Sequence, residues 1–311
     1  MRWQNPLLMR IEDDHGISDL LLSEETRLCG GFGFTEGPIW VASDNALVFS
    51  DIPGNRTHRW RPGQAEAEVY RDPSGWSNGL TMDAAGNILA CEHGGRQVSR
   101  FAYGNPASTT SLASHWDSKL LNSPNDIVVH SSGAIFFTDP AYGVDNGRNP
   151  RFGAEGQKQD LTFQGVYRID ADGSLHLVVA EGFSQPNGLA FTPDESQIYV
   201  GDSQERLIWR YDVRADLSLG ERTLFLDQRG DTRRGAPDGM KVDSEGRLWT
   251  TGAGGVSVHS AGGQYLGVFE SDEHAANLTF GGDGFSTLFL TAGTSVLSVA
   301  TAARGLVPGS R

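Results

Sequence analysis

Gly75, Ser77 and Gly79 place a serine in the pattern G-x-S-x-G, within the stretch GWSNGL. That spacing is the nucleophile elbow of serine hydrolases, in which an exposed serine attacks an ester carbonyl. The elbow needs a strand that turns into a helix. From Leu80 onward the chain reads LTMDAAGNILA, two short apolar runs around a turn. No helix is expected there. Ser77 therefore reads as structural, and its neighbour Asn78 becomes the residue of interest.

Asn78 is one of a recurring set. Glu36, Asn78, Asn125, Asn187, Asp238 and Asn277 each head a short apolar run, which is followed by a turn and a second apolar run. Taken singly, an Asn-Gly or Asp-Gly pair is an ordinary turn signal. Taken together, all six heads carry a side-chain oxygen and two are acidic. If they converged, they would suit a hard cation, with Glu36 and Asp238 offsetting a divalent charge and asparagine amides completing an oxygen shell. No histidine or cysteine heads a run, so a nitrogen or sulfur site of the zinc type is not suggested.

Convergence requires a particular architecture. The heads lie 42, 47, 62, 51 and 39 residues apart, the span of a four-stranded unit. Alternating segments such as QVSRF, GVYRID, LIWRYDV and GVSVHS supply a third strand after each pair. Six such units predict an all-β fold, a six-bladed β-propeller forming a single domain over residues 1–311. Equivalent positions of the innermost strands then face one another around the central channel. SVLSVATAA leaves the last blade one strand short. Residues 1–30 read as an N-terminal arm, in which ISDLLLSEETRL completes that blade and latches the ring. The widest gap contains residues 143–160, polar and glycine-rich, read as an inserted loop at a blade end. The closing residues GLVPGSR resemble a rearranged protease site and are not counted in the expected fold.

Composition narrows the partners. The formal net charge of the 311 residues is −14. Such a field repels phosphate backbones and anionic lipid, so neither nucleic acid nor a membrane surface is expected as a partner. Neutral small molecules and cations fit better. No apolar run reaches the roughly 20 residues of a membrane span. A cytoplasmic monomer or small homo-oligomer is expected; a leader removed on export would make it periplasmic. Cys29 and Cys91, the two cysteines, read as unpaired buried thiols.

The segments TEGPIW, SPNDIVV, QPNGLAF, YVGDS and PDGMKVDSEGRLW resemble the motifs of the SMP-30/gluconolactonase/LRE family, from about Gly33 to Gly293. ACEHGGR and FTDPAYG resemble its bacterial gluconolactonase-like members. The resemblance implies a six-bladed propeller holding one divalent metal ion: calcium first, with zinc, manganese or magnesium as alternatives. It implies Glu36, Asn187 and Asp238 as metal ligands, and Asn125 as a further ligand or a substrate-binding group. It implies hydrolysis of a sugar lactone. A calcium-like ion would polarise the carbonyl but acidify water weakly, so a protein base is expected to assist the attacking water, with Asp238 as the candidate. The related diisopropyl-fluorophosphatase enzymes use a similar Glu, Asn, Asn, Asp set, so a phosphotriesterase or arylesterase is an alternative, as is a non-catalytic calcium-binding propeller. Animal members carry an arginine where this chain has Ser123, and a substrate-contacting glutamate near Gly143.

Glu92 and His93 end the second strand of their unit, and Asp139 and Tyr142 hold similar places in the next. With Asn125 they are expected to contact substrate hydroxyls. Asp202 is expected to orient a ligand from behind. His274, before the last head, reads as a channel-lining or surface histidine.

Overall fold

The computed structural model describes residues 9–144, 151–271 and 273–307. Its strands form six antiparallel sheets arranged as the blades of a propeller, with one small extra hairpin at His115–Leu120. The innermost strands are Thr35–Val41, Ser77–Met82, Ile127–Val129, Pro186–Phe191, Met240–Val242 and Ala275–Gly281. Each begins within two residues of its head. Each blade then steps outward through consecutive antiparallel neighbours.

The second strand of each blade explains why the ring is stable. Ala46–Asp51, Ile135–Asp139, Leu248–Gly252 and their equivalents are buried almost throughout, so their apolar residues point alternately into two neighbouring blades. The apolar core accordingly divides into clusters that each join two adjacent blades. Ile39, Val41 and Val48 meet Leu80, Ile88 and Phe101 between blades one and two. Leu89 and Val98 meet Phe137 and Tyr167 between blades two and three. Trp249 and Phe269 meet Leu278 and Leu290 between blades five and six. The ring closes where Trp40 of blade one stacks on Phe289 of blade six, centroids 5.1 Å apart and planes 9° off parallel. Such a ring pair contributes about 1 kcal/mol beyond its buried area. Cys29 and Cys91 are both buried and free.

Thr26–Gly30 pairs antiparallel with Ser295–Ala300 as the outer strand of blade six. The expected latch is thus present, although its N-terminal part, Ser18–Leu20, is a short 3-10 turn. A second closure was not foreseen. Arg10–Asp14 adds a fifth strand to blade five, beside Tyr265–Glu270. Gly305 and Leu306 of the closing segment are also part of the fold. Gly305 N donates to Phe285 O at 2.9 Å, and Leu306 and Val307 line a cavity of about 150 Å³ at the far end of the channel. Of the expected insertion, residues 145–150 lie outside the described residues. Phe152 and Gln157 bond to blade two, through His93 and Gly94.

Candidate active site

The backbone of one head touches the next head along the ring, and glycine makes this approach feasible. Gly79 N donates to Asn125 O at 2.7 Å and Gly188 N to Asp238 O at 3.1 Å. A Cβ on Gly188 would overlap the Asp238 carbonyl. The Asn-Gly and Asp-Gly pairs that look like turns in sequence are therefore places where two blades meet without side-chain thickness. Asn277 is followed by leucine, and here a side chain bridges instead. Asn277 Nδ2 donates to Glu36 Oε2 at 2.9 Å, joining the last head to the first.

Glu36 is 3% exposed, and its Oε2 also accepts the Gly37 N–H at 2.7 Å. Burial raises the proton affinity of this carboxyl to a pKa of about 7. Asp238 is half-buried at the channel mouth and is likewise raised well above the carboxylate range, by desolvation first and by the charge of Glu36 second. The Asn187 amide donates to Asp238, and at 2.9 Å to Ser203 Oγ. Ser203 Oγ in turn donates to Pro237 O, just before Asp238. The Tyr142 hydroxyl reaches Ser203 and Asn187, and is raised by burial and by the Asp238 charge. Asn125 is buried, with its backbone engaged by Thr138 and Gly79. Glu36, Asn125, Asn187, Asp238 and Tyr142 are thus brought to one end of the channel.

Asp126, which was not foreseen from the sequence, belongs with them. It is 2% exposed; Oδ1 accepts the Ile127 N–H at 2.9 Å, and Oδ2 has no hydrogen-bond partner among the described residues. Burial raises its proton affinity, and the half-buried Lys241 opposes that rise. The charges of Glu36 and Asp126 raise Asp238, and Asp126 also raises Glu36. A signal was available: among the heads, only Asn125 is followed by an acid, where four others are followed by glycine.

The carboxylates of Glu36 and Asp238, both acted on by the charge of Asp126, and the amides of Asn125 and Asn187 form a donor set that fits a hard divalent cation. Among the described residues no three acidic, histidine or cysteine side chains cluster as a metal site by themselves. The set is mixed carboxylate and amide, the type that oxygen-seeking ions use.

Other candidates lie behind the ring. Asp139 is fully buried, and its Oδ2 accepts Asn122 N at 2.8 Å. Asp202 accepts Ser184 N at 2.7 Å and Gln185 N at 3.1 Å, and Asp51 accepts Gly33 N and Phe34 N. Each of these acids ends a second strand and clamps the backbone entering the innermost one. Glu92 ends its strand too, but its oxygens are taken by Arg71 at 2.9 Å, Ser99 at 2.5 Å and Gln97 at 2.7 Å. His93 is buried against Phe152 and Asn78. His274 is half-buried and feels the charge of Arg234.

Residues 34–294 match the family model described as the SMP-30/Gluconolactonase/LRE-like region. The chain belongs to this family. It is 33% identical to a gluconolactonase of Zymomonas mobilis, covering 86% of this chain and 78% of the relative. It is 28% identical to a pentonolactonase of Haloferax volcanii, covering 82% and 80%. A solved gluconolactonase structure from Xanthomonas campestris superposes with a TM-score of 0.83 at 33% identity, over 94% of each chain. In this member of the SMP-30/gluconolactonase family, the two departures from the animal pattern touch each other. Gly143 N donates to Ser123 Oγ at 2.9 Å. A Cβ on Gly143 would fall 2.7 Å from His93 Cβ, so a glutamate has no room there.

Proposed function

We propose that this protein hydrolyses a sugar lactone of the D-glucono-1,5-lactone type to the aldonic acid, with one divalent cation, calcium, held by Glu36, Asn125, Asn187 and Asp238. The observation that carries this reading is the convergence of those four heads in a polar ring, in a chain similar to named lactonases. When bound there, the cation supplies Lewis acidity towards an ester carbonyl.

The chain's own groups do the rest. Gly37 N and Asn277 Nδ2 hold Glu36 in one orientation. Asn187 is fixed by Ser203, which is itself anchored on Pro237. Asp238, close to the Tyr142 hydroxyl, takes the proton of the attacking water. Tyr142 and Asn125 offer polar contacts to ring hydroxyls. All six heads are polar, which favours a polyhydroxylated substrate over an apolar phosphotriester or aryl ester.

The test is lactone hydrolysis above the spontaneous rate, after chelation and after return of calcium, zinc, manganese or magnesium. Chelation and Asp238→Asn should each lower kcat by a factor on the order of 100 or more. Activity that survives both refutes the mechanism. Strong stabilisation by calcium without turnover of any lactone or ester would identify a binding propeller instead.

A further inference from the structure

The carbonyl of Phe152 can only accept a hydrogen bond, and it lies 2.9 Å from His93 Nδ1. His93 Nδ1 must therefore carry a proton. Burial pushes the pKa of His93 down to about 4, so the ring is neutral at physiological pH. A neutral ring protonated on Nδ1 has a lone pair on Nε2. That lone pair faces Asn78 Nδ2 at 3.3 Å, and Asn78 must donate to it. The orientation of the Asn78 amide is then fixed: its Oδ1 is turned away from His93.

That oxygen is unusual. Asn78 is 4% exposed, and among the described residues Oδ1 has no hydrogen-bond partner. A buried amide carbonyl without a donor is destabilising, and where one persists a missing partner is the first explanation. Asn78 also sits between two of the proposed metal ligands. Gly37 packs on its backbone from the Glu36 side, and Gly79 N bonds to Asn125 O on the other. His93 is held by its bond to Phe152 O, and Gly143 packs closely beside its Cβ. Phe152 is itself held against Phe34 of blade one, ring centroids 5.2 Å apart.

We propose that Asn78 is a substrate-binding residue whose Oδ1 accepts a hydrogen bond from a lactone hydroxyl remote from the reacting carbonyl, and that His93 and Phe152 position it. This rests on the lactonase reading above. His93 then acts through Asn78 and does not touch the sugar.

Steady-state kinetics on D-glucono-1,5-lactone at saturating calcium test it, with calcium titration and melting temperature measured alongside. Asn78→Ala, Asn78→Ser and His93→Phe should each raise KM roughly tenfold, the worth of one hydrogen bond. They should leave kcat within about twofold, as expected for a contact made equally in ground and transition states. Asn78→Ala with His93→Phe should be no worse than Asn78→Ala alone, because both remove the same acceptor. Calcium affinity should not change. An unchanged KM, a fall in kcat alone, multiplying effects, or weakened calcium binding would each overturn the assignment; the last would make Asn78 a metal ligand. If Asn78→Ala does not fold, Asn78→Ser and His93→Phe carry the same comparison. A wild-type protein that hydrolyses no lactone fails the underlying reading before any variant is made.

Discussion

Asp139→Asn separates a clamp from a substrate contact, and its size is set by the burial of the group. The Asp139 carboxyl is 0% exposed, and desolvation raises its pKa from 3.8 to about 7. In the unfolded chain it titrates at the ordinary value. Between these two values the folded state holds a proton that the unfolded state has lost, so stability rises as pH falls from about 7 towards 4. Above pH 7 both states are ionised, and the folded state bears the whole cost of a buried charge. From pH 8 down to pH 5, about two units of that interval are crossed. At 1.36 kcal/mol per unit, the wild type gains roughly 3 kcal/mol. The amide introduced by Asp139→Asn cannot titrate, yet it keeps an acceptor for the Asn122 N–H. The variant should therefore lack this gain and be relatively more stable at pH 8. For 311 residues, an unfolding entropy of about 2.1 cal/mol/K per residue converts the gain to a melting-temperature difference of roughly 4 °C. Thermal unfolding at pH 5 and 8 reads it, with saturating calcium to keep the channel carboxylates loaded. The lactone KM should stay within about twofold, since no substrate reaches a fully buried carboxyl. A wild type and variant with parallel pH profiles, or a variant with a raised KM, would refute the clamp.

Two further substitutions probe the ring. Ser77→Ala removes a hydroxyl that lies 3.0 Å from Ser50 Oγ in the blade interface; it should cost about 1 kcal/mol by urea unfolding and leave lactone turnover intact. Gly188→Ala places a methyl on the Asp238 carbonyl, so it should lower stability by roughly 3 kcal/mol and weaken calcium binding measured by titration calorimetry.

The repeat was readable because each blade repeats a head, a buried strand pair and a turn, and strand periodicity is a local property. The convergence of Glu36, Asn125, Asn187 and Asp238 is then a result of ring geometry. The features that escaped depend on the neighbouring blade. The glycine after Asn187 looks like a turn former until the Asp238 carbonyl is seen against it. Asp139, expected at a substrate hydroxyl, and Asp202, expected to orient a ligand, each clamp backbone N–H groups at a strand entry. Asp126 was hidden by the asparagine beside it. The strand Arg10–Asp14 has no partner nearby in sequence, so local pattern gave no reason to place it in blade five.

The double closure at the N-terminal arm has a consequence for how the protein is born. Arg10 pairs with Glu270, and Thr26 with Ser298. Each partner is some 260 to 270 residues further along the chain, so these two strands wait that long for their mates. At synthesis rates of about 5–20 residues per second, that interval lasts tens of seconds. During it Arg10–Asp14 and Thr26–Gly30 have no partners, and closing so long a loop is a slow step. Ring completion thus waits until blades five and six are made, and the period of aggregation risk is the time for which these two strands stay unpaired.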